Sequence, residues 1–338
     1  MRPAMYPKHT IPKTPMPKIT LWKLRFAMLG TFAVITAIAT LIFVMILTWL
    51  NISFYGLYGI LIFVVFFHVI QWLIGPHLID AIYHVKPLSK HEHPELFEIV
   101  ERIAKRSGLK YVPKLMIAEI DIPNAFAYGN PFTGYRVAVT RGLLETLPLD
   151  EVEAVLGHEL GHLKHRDVVV MLMISIIPAI VYYIGYVLYI SGWFGGFRRE
   201  REGGGPLLLL VGILLMVVSY LLNLFVFYMS RLREYYADTH AALNVDNGAK
   251  KLQRALVRIM YYTGRMKRYL GRESKSYSHF KMFFIADPDK PIKAEYVRNI
   301  DQLVELIKRK KPSILEELFS THPHPAKRLR HLDRFIAK

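Results

Sequence analysis

Four long apolar runs dominate the chain: Phe26–Leu50, Phe54–Ile74, Val168–Ile190 and Pro206–Met229. None contains Asp, Glu, Lys or Arg, and each exceeds the roughly 18 residues that carry a helix across a hydrocarbon core. The pattern predicts four transmembrane helices paired as two hairpins, with a kink at Pro178 in the third. Outside the runs the period changes. Leu96, Ile99, Val100 and Ile103 recur at helical spacing over Glu95–Ser107, and Gly108 follows as a terminator. Leu115–Ile117 and Val137–Val139 read as short strands, separated by Pro123, Gly129, Pro131 and Gly134. A further helix opens after Pro148, with Asp150 as its N-cap and Glu153 three residues on.

This alternation predicts a mainly α integral membrane protein with an α+β domain divided by the second hairpin. The expected units are an N-terminal arm at 1–25, hairpins at 26–79 and 168–229, and catalytic halves at 80–167 and 230–338. The arm is rich in Pro and Lys, and a less regular stretch runs from Gly264 to Pro291.

Charge sets an orientation. Arg2, Lys8, Lys13, Lys18, Lys23 and Arg25 precede the first run, and no acid occurs before Asp80. The connection at Asn51–Ser53 is uncharged. The positive-inside rule therefore expects both termini and the two α+β halves on the cytoplasmic side of a multi-pass protein of the cell membrane. A net charge of +17 fits basic segments facing an anionic leaflet. No nucleic-acid-binding motif accompanies it, so the expected partners are the lipid bilayer and polypeptide, not nucleic acid. The absence of cysteine excludes disulfides and a thiolate metal site.

The chemistry concentrates just before the third run, at His158-Glu159-Leu160-Gly161-His162. On a helix, residues four apart lie about 40° from eclipsed, so both imidazoles leave one face and can share a metal. Glu159 falls between them as a candidate general base. Two imidazoles, an open metal position and a carboxylate are what a zinc hydrolase needs, with one Zn²⁺ per chain.

A third protein ligand is required. Two familiar extensions fail, because a metzincin spacing would place Gly and His where His165 and Val168 stand, and Ile180–Ile190 offers no acid. Asp167, on a continuous helix, would point about 140° away from His162. Glu234 and Asp238 are the next acids on one helical face. His162 lies about 9 Å before the third run and Glu234 about 7.5 Å after the fourth, so antiparallel helices would bring both to one depth. Glu234 is the candidate ligand, and Asp238 is placed to orient a ligand histidine. An ordinary interfacial charge cluster is the alternative.

The chain resembles the HtpX family of membrane zinc metalloproteases, relatives of the CAAX prenyl proteases. The resemblance rests on the His158–His162 motif, on Arg233-Glu234-Tyr235-Tyr236-Ala237-Asp238, on Asn124-Ala125-Phe126-Ala127, and on Ser320-Thr321-His322-Pro323. It implies a zincin-like (gluzincin) catalytic domain, zinc on His158, His162 and Glu234, and Glu159 as base. It also implies quality control of misfolded or damaged membrane proteins. His322 and Arg328 match a C-terminal pair that faces the active site, where they could stabilise an oxyanion. Asn124, Ala125, Phe126 and Ala127 suit an edge strand that an extended peptide joins by main-chain hydrogen bonds. A plain loop turn at Asn124 satisfies the same composition.

Rival classes fit less well. An intramembrane protease would bury its motif in an apolar run, whereas Lys164, His165, Arg166 and Asp167 follow this one directly. A metal transporter would carry ionisable groups within its spans, and the third and fourth runs have none.

Overall fold

The structure is a computed structural model and describes residues 54–195, 204–270, 299–313 and 317–336. The arm at 1–25, the run Phe26–Leu50 and most of Gly264–Pro291 lie outside the described residues. Among the described residues, three helices are long and apolar enough to cross a membrane: α1 (Phe54–Ile82), α5 (Asp167–Gly195) and α6 (Gly204–Asn244).

Strand β1 (Val85–Pro87) and helix α2 (Pro94–Arg106) follow α1. Helix α2 starts on Pro94, whose missing N–H costs nothing in a first turn. It buries Leu96, Ile99, Val100 and Ile103 as the period predicts. The chain leaves it through Gly108, at φ +62°. Strands β2 (Lys114–Ala118), β3 (Ala125–Asn130) and β4 (Gly134–Thr140) complete a four-stranded sheet ordered β1-β2-β4-β3. Strands β2 and β4 run parallel, and the other two pairings are antiparallel. The order leaves β3 at an edge.

Helices α3 (Arg141–Thr146) and α4 (Leu149–Lys164) come next. The cap expected at Asp150 is not observed. Helix α4 begins at Leu149 with Pro148 as N-cap, because the Pro148 carbonyl already accepts from the N–H groups of Glu151 and Val152. Asp150 then sits in the first turn, where its charge suits the helix dipole. Glu153 pairs with Arg102 at 2.7 Å and Lys251 at 2.8 Å instead of closing a capping box.

Helix α6 runs unbroken for 41 residues, from an apolar first half through Glu234 and Asp238. The expected boundary at 229/230 therefore falls inside one helix, as does that at 79/80 inside α1. Helical spacing continues past the point where apolar composition stops, so composition alone misplaces both ends. Helices α7 (Gly248–Leu270), α8 (Ile300–Lys308) and α9 (Pro325–Leu332) close the domain.

One apolar core joins α2, α4, α7, α8 and α9 to the inner face of β4, with Ile103, Val137, Leu156, Leu252, Val304 and Leu329 buried. A separate cluster packs α5 against α6 through Ile174, Val181, Leu215, Leu222 and Met229. Small residues let that pair approach closely: a Cβ on Gly212 would stand 2.5 Å from the Tyr189 nitrogen.

The candidate metal and active site

Helix α4 lies almost wholly inside the domain, so its motif is presented to a partner helix and not to water. The contact with α6 runs through small residues four apart. A Cβ on Gly157 would stand 3.4 Å from Ala241 Cα, and one on Gly161 would stand 3.0 Å from His240 Cβ and 3.1 Å from Ala237 Cα. Two glycines on one face of α4 thus bring the helix axes close, with His158 and His162 one residue beyond each. That approach delivers Glu234.

His158 Nε2 and His162 Nε2 stand 3.2 Å apart. Glu234 reaches across with Oε2 at 3.7 Å from the first and Oε1 at 3.6 Å from the second. One atom from each of the three lies within 4.8 Å of the others. The rings are held from behind: His158 Nδ1 is 3.0 Å from Asp238 Oδ1, and His162 Nδ1 is 2.5 Å from Asp167 Oδ2. The hydrogen bond to Asp167 and the nearness of Asp238 favour a proton on each Nδ1 and turn both Nε2 lone pairs inward. Two such lone pairs and a buried carboxylate facing one another repel unless a cation lies among them. The donor set therefore fits a divalent metal with nitrogen and oxygen ligands.

Asp238 and Glu234 also share a cation of the protein. Arg328 donates from Nε and Nη2 to the two oxygens of Asp238, at 2.9 and 2.6 Å, and places Nη1 3.1 Å from Glu234 Oε2. His322 Nδ1 lies 3.4 Å from the same Glu234 oxygen. The C-terminal pair is thus brought to the site. Arg328 is buried and its guanidinium faces two carboxylates, those of Asp238 and Glu234.

Glu159 is buried beside the histidine pair and accepts a hydrogen bond from the Ala127 N–H at 2.8 Å. Burial pushes its carboxyl up to about 7, while His162 opposes the rise and Glu234 adds to it. Burial also lowers His158 against the pull of Asp238. His162 moves the other way: burial opposes its charge, but Asp167 and then the nearby glutamates raise it. Burial acts against the charge of Arg328 as well, and Asp238 and Glu234 together hold it firmly protonated.

Ala125, Phe126 and Ala127 form the edge strand β3, and Asn124 precedes it, its N–H bonded to Thr140 Oγ1 at 2.9 Å and its carbonyl accepting from the Thr140 N–H at 3.0 Å. Ala125–Ala127 are strand, and Asn124 lies in the connection that leads into it. Beside His322 and Arg328, an apolar depression is lined by Leu256, Val257, Met260, Pro323 and Leu329.

A family model described as "Peptidase family M48" matches residues 90–336, which take in both halves of this cluster. The chain belongs to peptidase family M48. It is a metalloprotease, a hydrolase of peptide bonds. Similar chains include a "Protease HtpX homolog" of Thermoplasma acidophilum, 43% identical over 270 residues that cover 79% of this chain and 81% of that one. Another, from Aeropyrum pernix, is 45% identical over 270 residues, 80% of this chain and 83% of its relative. The crystal structure of S. mikatae Ste24p shares the fold, with TM-score 0.53 at 20% identity, over 93% of this chain and 67% of that one.

In this M48 peptidase, sequence reasoning missed Asp167 and Arg233. The helix was expected to continue past His162, but α4 ends at Lys164 and Arg166 takes φ +54°. The reversal swings Asp167 back to His162, and Arg233, next to Glu234, sets its Nε 3.0 Å from the same Asp167 oxygen. The usable signal was the proximity of an acid to the end of the motif and an Arg beside the third acid. His165 is half-buried, with its ring edge-on to Tyr236 at 3.8 Å.

Proposed function

We propose that this M48 peptidase is a zinc-dependent endopeptidase of the cell membrane, with four transmembrane helices, that cleaves polypeptides at the cytoplasmic membrane surface. Misfolded or damaged membrane proteins are its substrates in this reading, which rests on the likeness to HtpX-type relatives and on the basic N-terminal segment. The observation that carries the chemistry is the approach of two inward-facing Nε2 atoms, 3.2 Å apart, to the Glu234 carboxylate.

His158, His162 and Glu234 would hold one zinc ion. Zinc bound there supplies a Lewis acid that polarises the scissile carbonyl and lowers the pKa of water to about 7. Glu159 takes the proton of the attacking water and hands it to the leaving amine. Burial favours the protonated form of this carboxyl, the direction that helps it hold the proton between the two transfers. Asp238 and Asp167 fix the two histidine tautomers, and Arg328 holds Asp238 and Glu234 in register. His322, beside Glu234, is the candidate donor to the oxyanion.

Strand β3 receives substrate. Residues of an edge strand alternate between pairing inward and presenting their main chain outward. The Ala127 N–H turns outward to Glu159, so the outward groups of β3 lie beside the base. An extended peptide added along this edge, from the Asn124–Ala127 end, would present its carbonyl there with little side-chain selectivity.

Glu159→Gln tests the assignment. Full metal content with proteolysis lost is the expected result. Cleavage at the parent rate with metal retained would remove Glu159 from the mechanism.

A further inference from the structure

Two segments reach the site, and both continue past it alongside a candidate span. Strand β3 donates Ala127 N–H to Glu159 at 2.8 Å and then follows α1 toward its apolar middle. Tyr128 Oη donates to Asp80 Oδ1 at 2.6 Å, and Arg136 pairs with the same carboxylate. Asn130 Nδ2 donates to the Trp72 carbonyl at 3.1 Å. That carbonyl has lost its helical partner because Pro76, four residues on, has no N–H. The turn then sets Phe132 edge-on to Trp72 at 6.1 Å. From Asp80 to Trp72 is about 12 Å along the helix axis.

The second segment behaves alike. His322 stands beside Glu234, the Ser320 carbonyl accepts from Arg231 Nη1 at 2.6 Å, and the Phe319 ring lies 6.4 Å from Tyr220. Tyr220 is about 16 Å before Arg231 along α6, within the apolar stretch.

Both tips are aromatic and bare: Phe132 is 77% exposed and Phe319 is 52% exposed. The side chains around their helical neighbours are exposed and apolar as well, with Val69, Ile74 and Leu78 on α1 and Leu214, Val217 and Leu221 on α6. The tips thus extend the surface that the spans present to lipid. We propose that Phe132 and Phe319 insert into the bilayer alongside the apolar stretches of α1 and α6, so that lipid holds β3 and the 317–322 segment at the mouth of the site. The proposal rests on the membrane-spanning reading of α1 and α6. A phenyl ring has no polar group to desolvate, so lipid contact removes its apolar surface from water at no polar cost. A second protein would have to cover two tips beside different helices, whereas lipid reaches both.

The chain has no cysteine, so single-Cys variants carry one label without further changes. Phe132→Cys and Phe319→Cys are spin-labelled and reconstituted in phosphatidylcholine–phosphatidylglycerol vesicles. Power saturation then compares oxygen, which concentrates in lipid, with a water-soluble nickel chelate. Leu210→Cys, on the exposed face of α6, serves as the lipid control, and Lys90→Cys as the aqueous one. Both tips are expected to follow Leu210. Tips that follow Lys90, or that are shielded from both reagents by protein, overturn the proposal while leaving the spans intact. A Leu210 label that reads as aqueous overturns the spans and the proposal together. Pairing Phe132→Ser with Phe319→Ser is expected to slow cleavage of a membrane-anchored substrate in vesicles by about tenfold. Cleavage of a soluble peptide in detergent should stay unchanged. Equal loss on both substrates would count against lipid as the partner.

Discussion

Asp167 and His162 meet at 2.5 Å across a helix break, the carboxylate accepting from the ring's Nδ1–H. Without the left-handed turn at Arg166 the two would face apart. Groups that orient a ligand histidine are worth about 10–100-fold in metal affinity. Asp167→Ala should lower zinc affinity by that factor with the far-UV dichroism unchanged. A competitive chelator titration measures it, and an affinity equal to the parent's would deny Asp167 this role.

Arg328 is buried and faces Asp238 and Glu234 together. Arg328→Met removes the cation and leaves two buried carboxylates without it. Breaking such an arrangement costs about 3–5 kcal/mol. The expected outcome is a large fall in unfolding temperature together with weakened metal retention. A variant as stable as the parent, but slower in turnover alone, would instead return Arg328 to an oxyanion role.

Gly161 sets the distance between α4 and α6. A Cβ there meets His240 Cβ at 3.0 Å and Ala237 Cα at 3.1 Å, the latter on the main chain, which gives little. Gly161→Val should cost about 1–3 kcal/mol through overpacking. It should also draw Glu234 away from the histidine pair, so metal content after dialysis falls along with thermal stability. Normal metal content in a destabilised variant would separate packing from the metal geometry.

Chelation should abolish proteolysis and destabilise the domain, with both restored by zinc. The candidate metal ligands come from α4 and α6, so a metal held by them would join the two halves of the chain. Ligand present at about a thousand times its dissociation constant contributes about 4 kcal/mol. Thermal scans with and without chelator read this directly, and an unfolding temperature indifferent to metal would mean that the three side chains do not converge on one ion.

The residues most legible in the sequence were those governed by a period. The spacing of His158 and His162 and the shared face of Glu234 and Asp238 follow from helical repeat alone, and the matched lengths of the two apolar runs bring them together. What stayed hidden depended on departures from the repeat. The positive φ at Arg166 redirects Asp167, and nothing in His165-Arg166 forces it. Likewise, Gly157 and Gly161 read as weak helix formers until Ala237 and Ala241 are seen opposite them. The capping signature at Asp150 and Glu153 misled because Lys251 and Arg102, both distant in sequence, compete for the Glu153 carboxylate. The length of β3 beyond Ala127 was similarly illegible, since Gly129 and Asn130 are poor strand formers that pairing with β4 retains.

Helix α6 carries its ligand on the same rigid rod that crosses the apolar zone, 41 residues or about 60 Å from end to end. A change in tilt at one end of such a rod swings the other. In the membrane-spanning reading, residue 234 is therefore tied to the span itself and not to a loop that could move apart from it.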